Sequence, residues 1–191
     1  MIYETIASEV IDQFPPAVFK GTIHEVKSPK ELKKALDYLE QVSILGFDTE
    51  TKPCFVSHEV RRYKTALLQL ASQEKAFLFR LPWCGVSSRL IALLSNPQVL
   101  KVGVAIKDDI RGLQAYRAFC AAGFIDLQTM LEPWGIKEKS LKKLTAIVLN
   151  LRLSKGQQLS NWENLKLTSA QRHYAALDAW ICREIYLALK R

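Results

Sequence analysis

The sequence contains no apolar run approaching the roughly 18–20 residues that a membrane-spanning helix needs, so no membrane span is expected. Its first residues lack a basic segment. Met1 to Phe14 carries Glu4, Glu9 and Asp12, which reads against a secretory signal. Cysteine is scarce and scattered: Cys54, Cys84, Cys120 and Cys182 form no CxxC or CxxH pair. That excludes the common zinc-ribbon spacings and gives no disulfide framework. Free thiols in a reducing compartment, the cytoplasm, is the simple reading. Internal repeats and low-complexity stretches are absent as well. What remains is 191 residues, 49% hydrophobic and 24% charged. This is the composition of a globular chain long enough for one domain with a full core.

What the chain does have is positive charge, and it is unevenly placed. The net charge is +8, and Lys137 to Arg191 holds eleven Lys/Arg against four Asp/Glu. A basic C-terminal third points to a polyanionic partner, nucleic acid first, although a solvated basic surface would look the same.

Periodicity supplies the elements. Ile6, Val10 and Phe14 predict a short amphipathic helix ended by Pro15-Pro16. Gly21 to Lys27 has the look of a short strand. Ser28, Pro29 and Glu31 open a helix in capping-box order, with Leu32, Leu36 and Leu39 as its buried stripe. Strands are expected over 43–50, 66–71, 76–79, 99–104 and 123–126, the second and third joined by a hairpin-sized connection. Helices are expected over 86–95, 107–119, 140–149 and from Thr168 almost to Arg191. A three-stranded meander, then strand–helix–strand, then helices makes an α/β sheet of mixed direction.

Three acidic sites punctuate these elements. Asp48 and Glu50 end the first core strand two residues apart, so both carboxylates share a face. Paired acids at a core strand end are costly without a cation, and carboxylate oxygens suit Mg²⁺ or Mn²⁺. Solvated strand-end acids are the plain alternative. Asp108 and Asp109 open the helix after the 99–104 strand, where acids also favour the helix dipole. Ile106, Ile110 and Leu113 set that helix's apolar stripe; Asp109 falls inside it, while Asp108 falls toward solvent. Tyr174 and Asp178 share a face of the last helix, and Ala175 and Ala176 would let it approach the sheet closely. Converging, the acids could hold two divalent ions in the arrangement that handles phosphodiester cleavage.

In order and context these motifs resemble the DEDDy branch of the DnaQ-like 3′–5′ exonucleases. The three motifs are Leu45-Gly-Phe-Asp48-Thr-Glu50-Thr51, Lys101 through Asp109 to Leu113, and Tyr174-Ala-Ala-Leu-Asp178. Ala66 to Leu70 and Leu159-Ser-Asn-Trp162 match too, closer to the Werner-type exonuclease domain than to RNase D. The resemblance runs from about Thr22 to Lys190. It implies an RNase H-like fold with a central mixed five-stranded sheet flanked by helices, as residues 22–191, preceded by an extension over 1–21 with its short helix.

The resemblance further implies catalysis by Asp48, Glu50, Asp109, Tyr174 and Asp178. Asp48, Glu50 and Asp178 would ligate one Mg²⁺ or Mn²⁺, and Asp48 and Asp109 would hold a second. Tyr174 would orient the attacking water. Nucleotides would leave the 3′ end of DNA as nucleoside 5′-monophosphates. Substrate contacts are expected from Thr51, from the Arg61, Arg62, Tyr63 and Lys64 loop, and from Lys142 and Lys155. Trp162 reads as a packing residue, and His173 points away from Tyr174. Two alternatives stand beside this reading: an RNase D-like exoribonuclease, and a catalytically inactive nucleic-acid-binding module, against which the intact acids argue.

Overall fold

The computed structural model describes residues 4–53, 64–154 and 156–190. A single turn, α1 (Ser8–Ile11), precedes strand β1 (Thr22–Val26) and helix α2 (Pro29–Leu39). Strands β2 (Ile44–Thr51), β3 (Thr65–Ala71) and β4 (Lys75–Arg80) follow, then helices α3 (Leu81–Cys84) and α4 (Ser88–Leu94). Next come β5 (Leu100–Gly103), α5 (Lys107–Gln114) and β6 (Phe124–Asp126). Two 3₁₀ turns lead to α6 (Leu141–Leu149) and the long α7 (Ser169–Leu189).

The caps act as the sequence predicts. Ser28 Oγ accepts from the Glu31 amide, and the Glu31 carboxylate accepts from the Lys27 amide at 2.8 Å. Thr168 and Gln171 close a full capping box on α7. Such reciprocal bonds satisfy amides that a helix start leaves orphaned.

The sheet runs β1-β4-β3-β2-β5-β6. β3 is antiparallel to both neighbours, and the remaining pairs are parallel. It therefore has six strands where five were expected. The sixth is Thr22–Val26, expected as a short strand over Gly21 to Lys27 but not counted among the five; it lies parallel to β4 and is anchored where the Thr22 amide meets the Glu74 carbonyl at 2.8 Å. Only Val26 of that strand is fully buried, which is why its apolar signal is weak.

Helices cover both faces. On one, Leu45 and Phe47 of β2 pack with α2, α4, Ile106 and Leu113. On the other, α6 and α7 pack over Val102 through Leu144, Ile181 and Ile185. β3, central and covered on both sides, is buried at every position. The closest approach is at Gly46. A Cβ there would sit 1.7 Å from the Ala179 carbonyl oxygen of α7. No side chain fits, so the glycine lets the helix backbone rest on the strand, with Ala175, Ala176 and Ala179 supplying the small helix face.

The N-terminal segment departs from expectation. Val10 is exposed, while Ile6 and Ile11 are buried at either end of one helical turn. Such a short turn has no continuous stripe. Instead the segment is tied to the rest of the chain by backbone bonds, Ala17 to Arg152 and Arg152 to Pro15. Phe19 packs tilted against Trp180 of α7. Among the described residues no helix is long and apolar enough to cross a membrane.

Candidate active site

The C-terminal end of β2 is where the acids meet. Asp48 and Glu50 share the face on which Gly46 receives α7, by strand alternation. Asp178 arrives on α7, one residue before the Ala179 contact. Carboxylate oxygens of these three all lie within 4.8 Å of one another. Tyr174, one turn earlier, is bonded to Asp178 through its hydroxyl. Behind it lies Trp162, fully buried, with ring centroids 6.0 Å apart. The indole is thus a packing support and not an exposed stacking platform.

Asp109 approaches from the other side. Thr49 points to the face opposite Asp48 and Glu50, and its hydroxyl donates to Asp109 in the first turn of α5. Asp109 stands outside the group of three, yet its charge still reaches Asp48 and Glu50. Its neighbour Asp108 faces solvent and pairs with Arg111 at 3.1 Å. The two neighbours thus lie on different faces of α5, Asp109 toward the sheet and Asp108 toward solvent.

Crowding shows in the acidities. Burial first, then Asp178 and Asp109, holds Asp48 well above the usual carboxylate range. Glu50 is pushed up to about 9, by burial and then by Asp48, Asp178 and Asp109. Burial also raises Asp109, against the opposing bond from Thr49. The Tyr174 phenol is raised by burial, then by Asp178. Carboxylates this close and this dry coexist in only two ways: as partly protonated groups, or around a cation. Three hard oxygen donors at such separations fit a divalent ion of the Mg²⁺ or Mn²⁺ type.

Asp48, Glu50, Asp178 and Tyr174 line a cleft of about 250 Å³. Lys142, Leu141, Ser154 and Gln158 form part of its lining, and Cys182 joins Asp178 in it. Lys142 thus shares the cleft with these acids. Thr51 is exposed, just past a register shift that follows Glu50. Lys64 is exposed, with Nζ 5.6 Å from the Tyr116 ring. Arg61, Arg62, Tyr63 and Lys155 lie outside the described residues. His173 bonds back to the Ser169 carbonyl and is exposed. Sequence reasoning missed Thr49, Ser154 and Gln158. Thr49 could have been found, since a hydroxyl between two paired acids must face the opposite side of the strand.

Residues 23–191 match the domain family described as 3′–5′ exonuclease. The "Exonuclease 3′-5′ domain-containing protein 2" of Drosophila melanogaster is 34% identical over 176 residues, covering 88% of this chain and 30% of that protein. The "Bifunctional 3′-5′ exonuclease/ATP-dependent helicase WRN" of Mus musculus is 30% identical over 193 residues, covering 93% of this chain and 13% of that protein. The chain thus spans less than a third of either relative. Among solved structures, the Nibbler EXO domain of Aedes aegypti superposes with a TM-score of 0.77 at 25% identity, covering 88% of this chain and 87% of that one.

Proposed function

This chain belongs to the 3′–5′ exonuclease domain family, and from that premise we propose that it hydrolyses DNA from the 3′ end, releasing nucleoside 5′-monophosphates by two-metal catalysis. The observation that carries the reading is the Asp48, Glu50 and Asp178 cluster, with all three within 4.8 Å and Tyr174 one helical turn away. Asp48, Glu50 and Asp178 would hold one divalent ion, and Asp48 with Asp109 a second. Divalent ions at such a site lower the pKa of water and stabilise charge on a leaving oxygen.

The chain's own groups supply the rest. Tyr174 holds the attacking water by donating or accepting a hydrogen bond. It does not act as a base, because burial and the acids around it keep the phenol protonated. Lys142 meets the substrate phosphate at the cleft. Thr51, at the strand end, contacts the terminal sugar through its backbone. Lys64 adds positive charge along the path, and Arg61, Arg62, Tyr63 and Lys155 are assigned the same task from sequence. Residues 22–191 form the catalytic unit, and 1–21 an extension laid against it.

Carboxylates and phenol read the phosphodiester and not the sugar. DNA is favoured because the Ala66–Leu70 and Leu159–Trp162 segments resemble the Werner-type domain more than RNase D. The test is one assay: 3′- and 5′-labelled DNA and RNA strands with Mg²⁺, Mn²⁺ or EDTA. Mononucleotides should appear from the 3′ end of DNA, only with metal. The claim is falsified if a strand blocked at its 3′ terminus is degraded as fast as one with a free 3′ hydroxyl. Faster ribonucleotide release would transfer the proposal to RNA.

A further inference from the structure

Helix α5 carries Asp109, yet its start has no cap of its own. Ile106 occupies the N-cap position and has no side chain able to accept an amide. The residue before it, Ala105, is left-handed at φ 57°, which costs any residue with a Cβ. Something must hold this turn, and a residue from another strand does. Asp126, at the end of β6 and in register with Gly103, accepts from the Ala105 amide at 3.0 Å. Its other carboxylate oxygen accepts from the Ile106 amide at 3.3 Å. The first oxygen also accepts from Gln128 at 3.0 Å, which fixes the carboxylate on its own segment.

We propose that Asp126 is a positioning residue for Asp109: a cap supplied from β6 that fixes the β5–α5 turn and, through it, where Asp109 stands relative to Asp48. The inference rests on the exonuclease reading above. Asp109 is otherwise bonded only to Thr49 among the described side chains. Beyond the packing of Ile106 and Leu113, its position depends on the Thr49 hydroxyl and on the backbone that Asp126 holds. Three amide bonds hold Asp126, and they add direction to a turn whose Ile106 is already buried against Phe47 and Leu113. A carboxylate suits the position because both of its oxygens accept. An amide has one accepting oxygen, and would turn an NH₂ toward the Ile106 N–H.

The experiment compares wild type, Asp126→Asn, Asp126→Glu and the pair Ala105→Gly/Asp126→Asn. The readouts are kcat and KM with Mn²⁺ on a labelled strand, Mn²⁺ affinity by calorimetry, and melting temperature. Asp126→Asn should lower kcat and Mn²⁺ affinity by about 10- to 100-fold, the usual effect of removing a group that orients a ligand, with KM little changed. Asp126→Glu keeps both accepting oxygens and should fall between wild type and Asn; it decides the matter alone should the Asn variant not fold. Adding Ala105→Gly relieves the left-handed strain that Asp126 restrains, so it should recover part of the loss. A purely structural role predicts instead a lower melting temperature, with kcat and Mn²⁺ affinity of the folded enzyme unchanged and no recovery from glycine. That result overturns the inference. A wild type that neither binds Mn²⁺ nor attacks 3′ ends would overturn the exonuclease reading, which is a different failure.

Discussion

The two faces of β2 bring acids to one place by different physics. On the α7 face, Asp178 is placed by packing: the helix rests on Gly46 so closely that a Cβ would meet the Ala179 carbonyl at 1.7 Å. On the α5 face, Asp109 accepts a hydrogen bond from the Thr49 hydroxyl, and the turn before it donates the Ala105 and Ile106 amides to Asp126. Packed interiors are nearly incompressible, while a polar bond exchanges readily with water. Asp178 is therefore held chiefly by packing, while the position of Asp109 depends on polar bonds in addition to the packing of Ile106 and Leu113.

The largest effect should come from the packed side. Asp48→Ala removes the acid shared by both proposed ions and should cost at least about 10³-fold in rate, near 4 kcal/mol. Retention of substantial activity would show that the trio is not where catalysis occurs. Next is Asp109→Asn, expected to cost about 10²-fold, the scale of a misplaced catalytic group. Asp108→Asn, assayed beside it, should stay within a few-fold. A larger loss at Asp108 would reverse the assignment of the α5 faces.

Gly46→Ala sharpens the comparison from the structural side. Overpacking should destabilise the fold by about 1–3 kcal/mol or more, because the neighbour that must move is backbone and not a flexible side chain. Chemical denaturation measures it, and an unchanged midpoint would mean α7 yields easily.

The acidities make a further prediction, for the metal-free protein. Glu50 is raised from an ordinary 4.5 to about 9, and Asp48 is raised in the same direction. A folded-state pKa above the unfolded one stabilises fully below the unfolded value, and the contribution is lost as pH rises through the folded value. In EDTA the melting temperature should therefore fall between about pH 5 and about pH 9. Mg²⁺ or Mn²⁺ should lessen the fall by replacing protons. Binding should release protons, visible as a buffer-dependent calorimetric heat. A melting temperature that rises over this range without metal would contradict the burial of these acids. The smallest effect belongs to Lys142→Ala, a few-fold rise in KM, about 1 kcal/mol, reduced at higher salt.

Much of this contrast could be read in the sequence because local rules carried it. The capping box at Ser28 and Glu31, the alternation at Asp48 and Glu50, and the stripe separating Asp109 from Asp108 all depend on neighbours within one turn or strand. The alanines at 175 and 176 announced a close helix before anything showed what it touched. Non-local causes stayed hidden. β1 owes its pairing to β4, some fifty residues on, and buries only Val26 fully. α5 was expected to reach 119 and stops at Gln114, where the Gln114 amide takes the Phe119 carbonyl and Tyr116 bonds the Thr65 carbonyl. The Asp126 cap joins segments twenty positions apart and leaves no periodic trace.

The Gly46 contact also sets a timetable. Arg183 on the same helix donates to the Ile44 carbonyl, a bond that spans 139 positions. Asp178 therefore reaches Asp48 and Glu50 only after nearly all of the described chain has been made. A growing chain on the ribosome can build β2, β3 and β4 and present two of the acids while the third has not been synthesised. Contacts so distant in sequence form late and slowly. The consequence is that the three-carboxylate cluster stays incomplete until α7 has been made and has closed over the sheet.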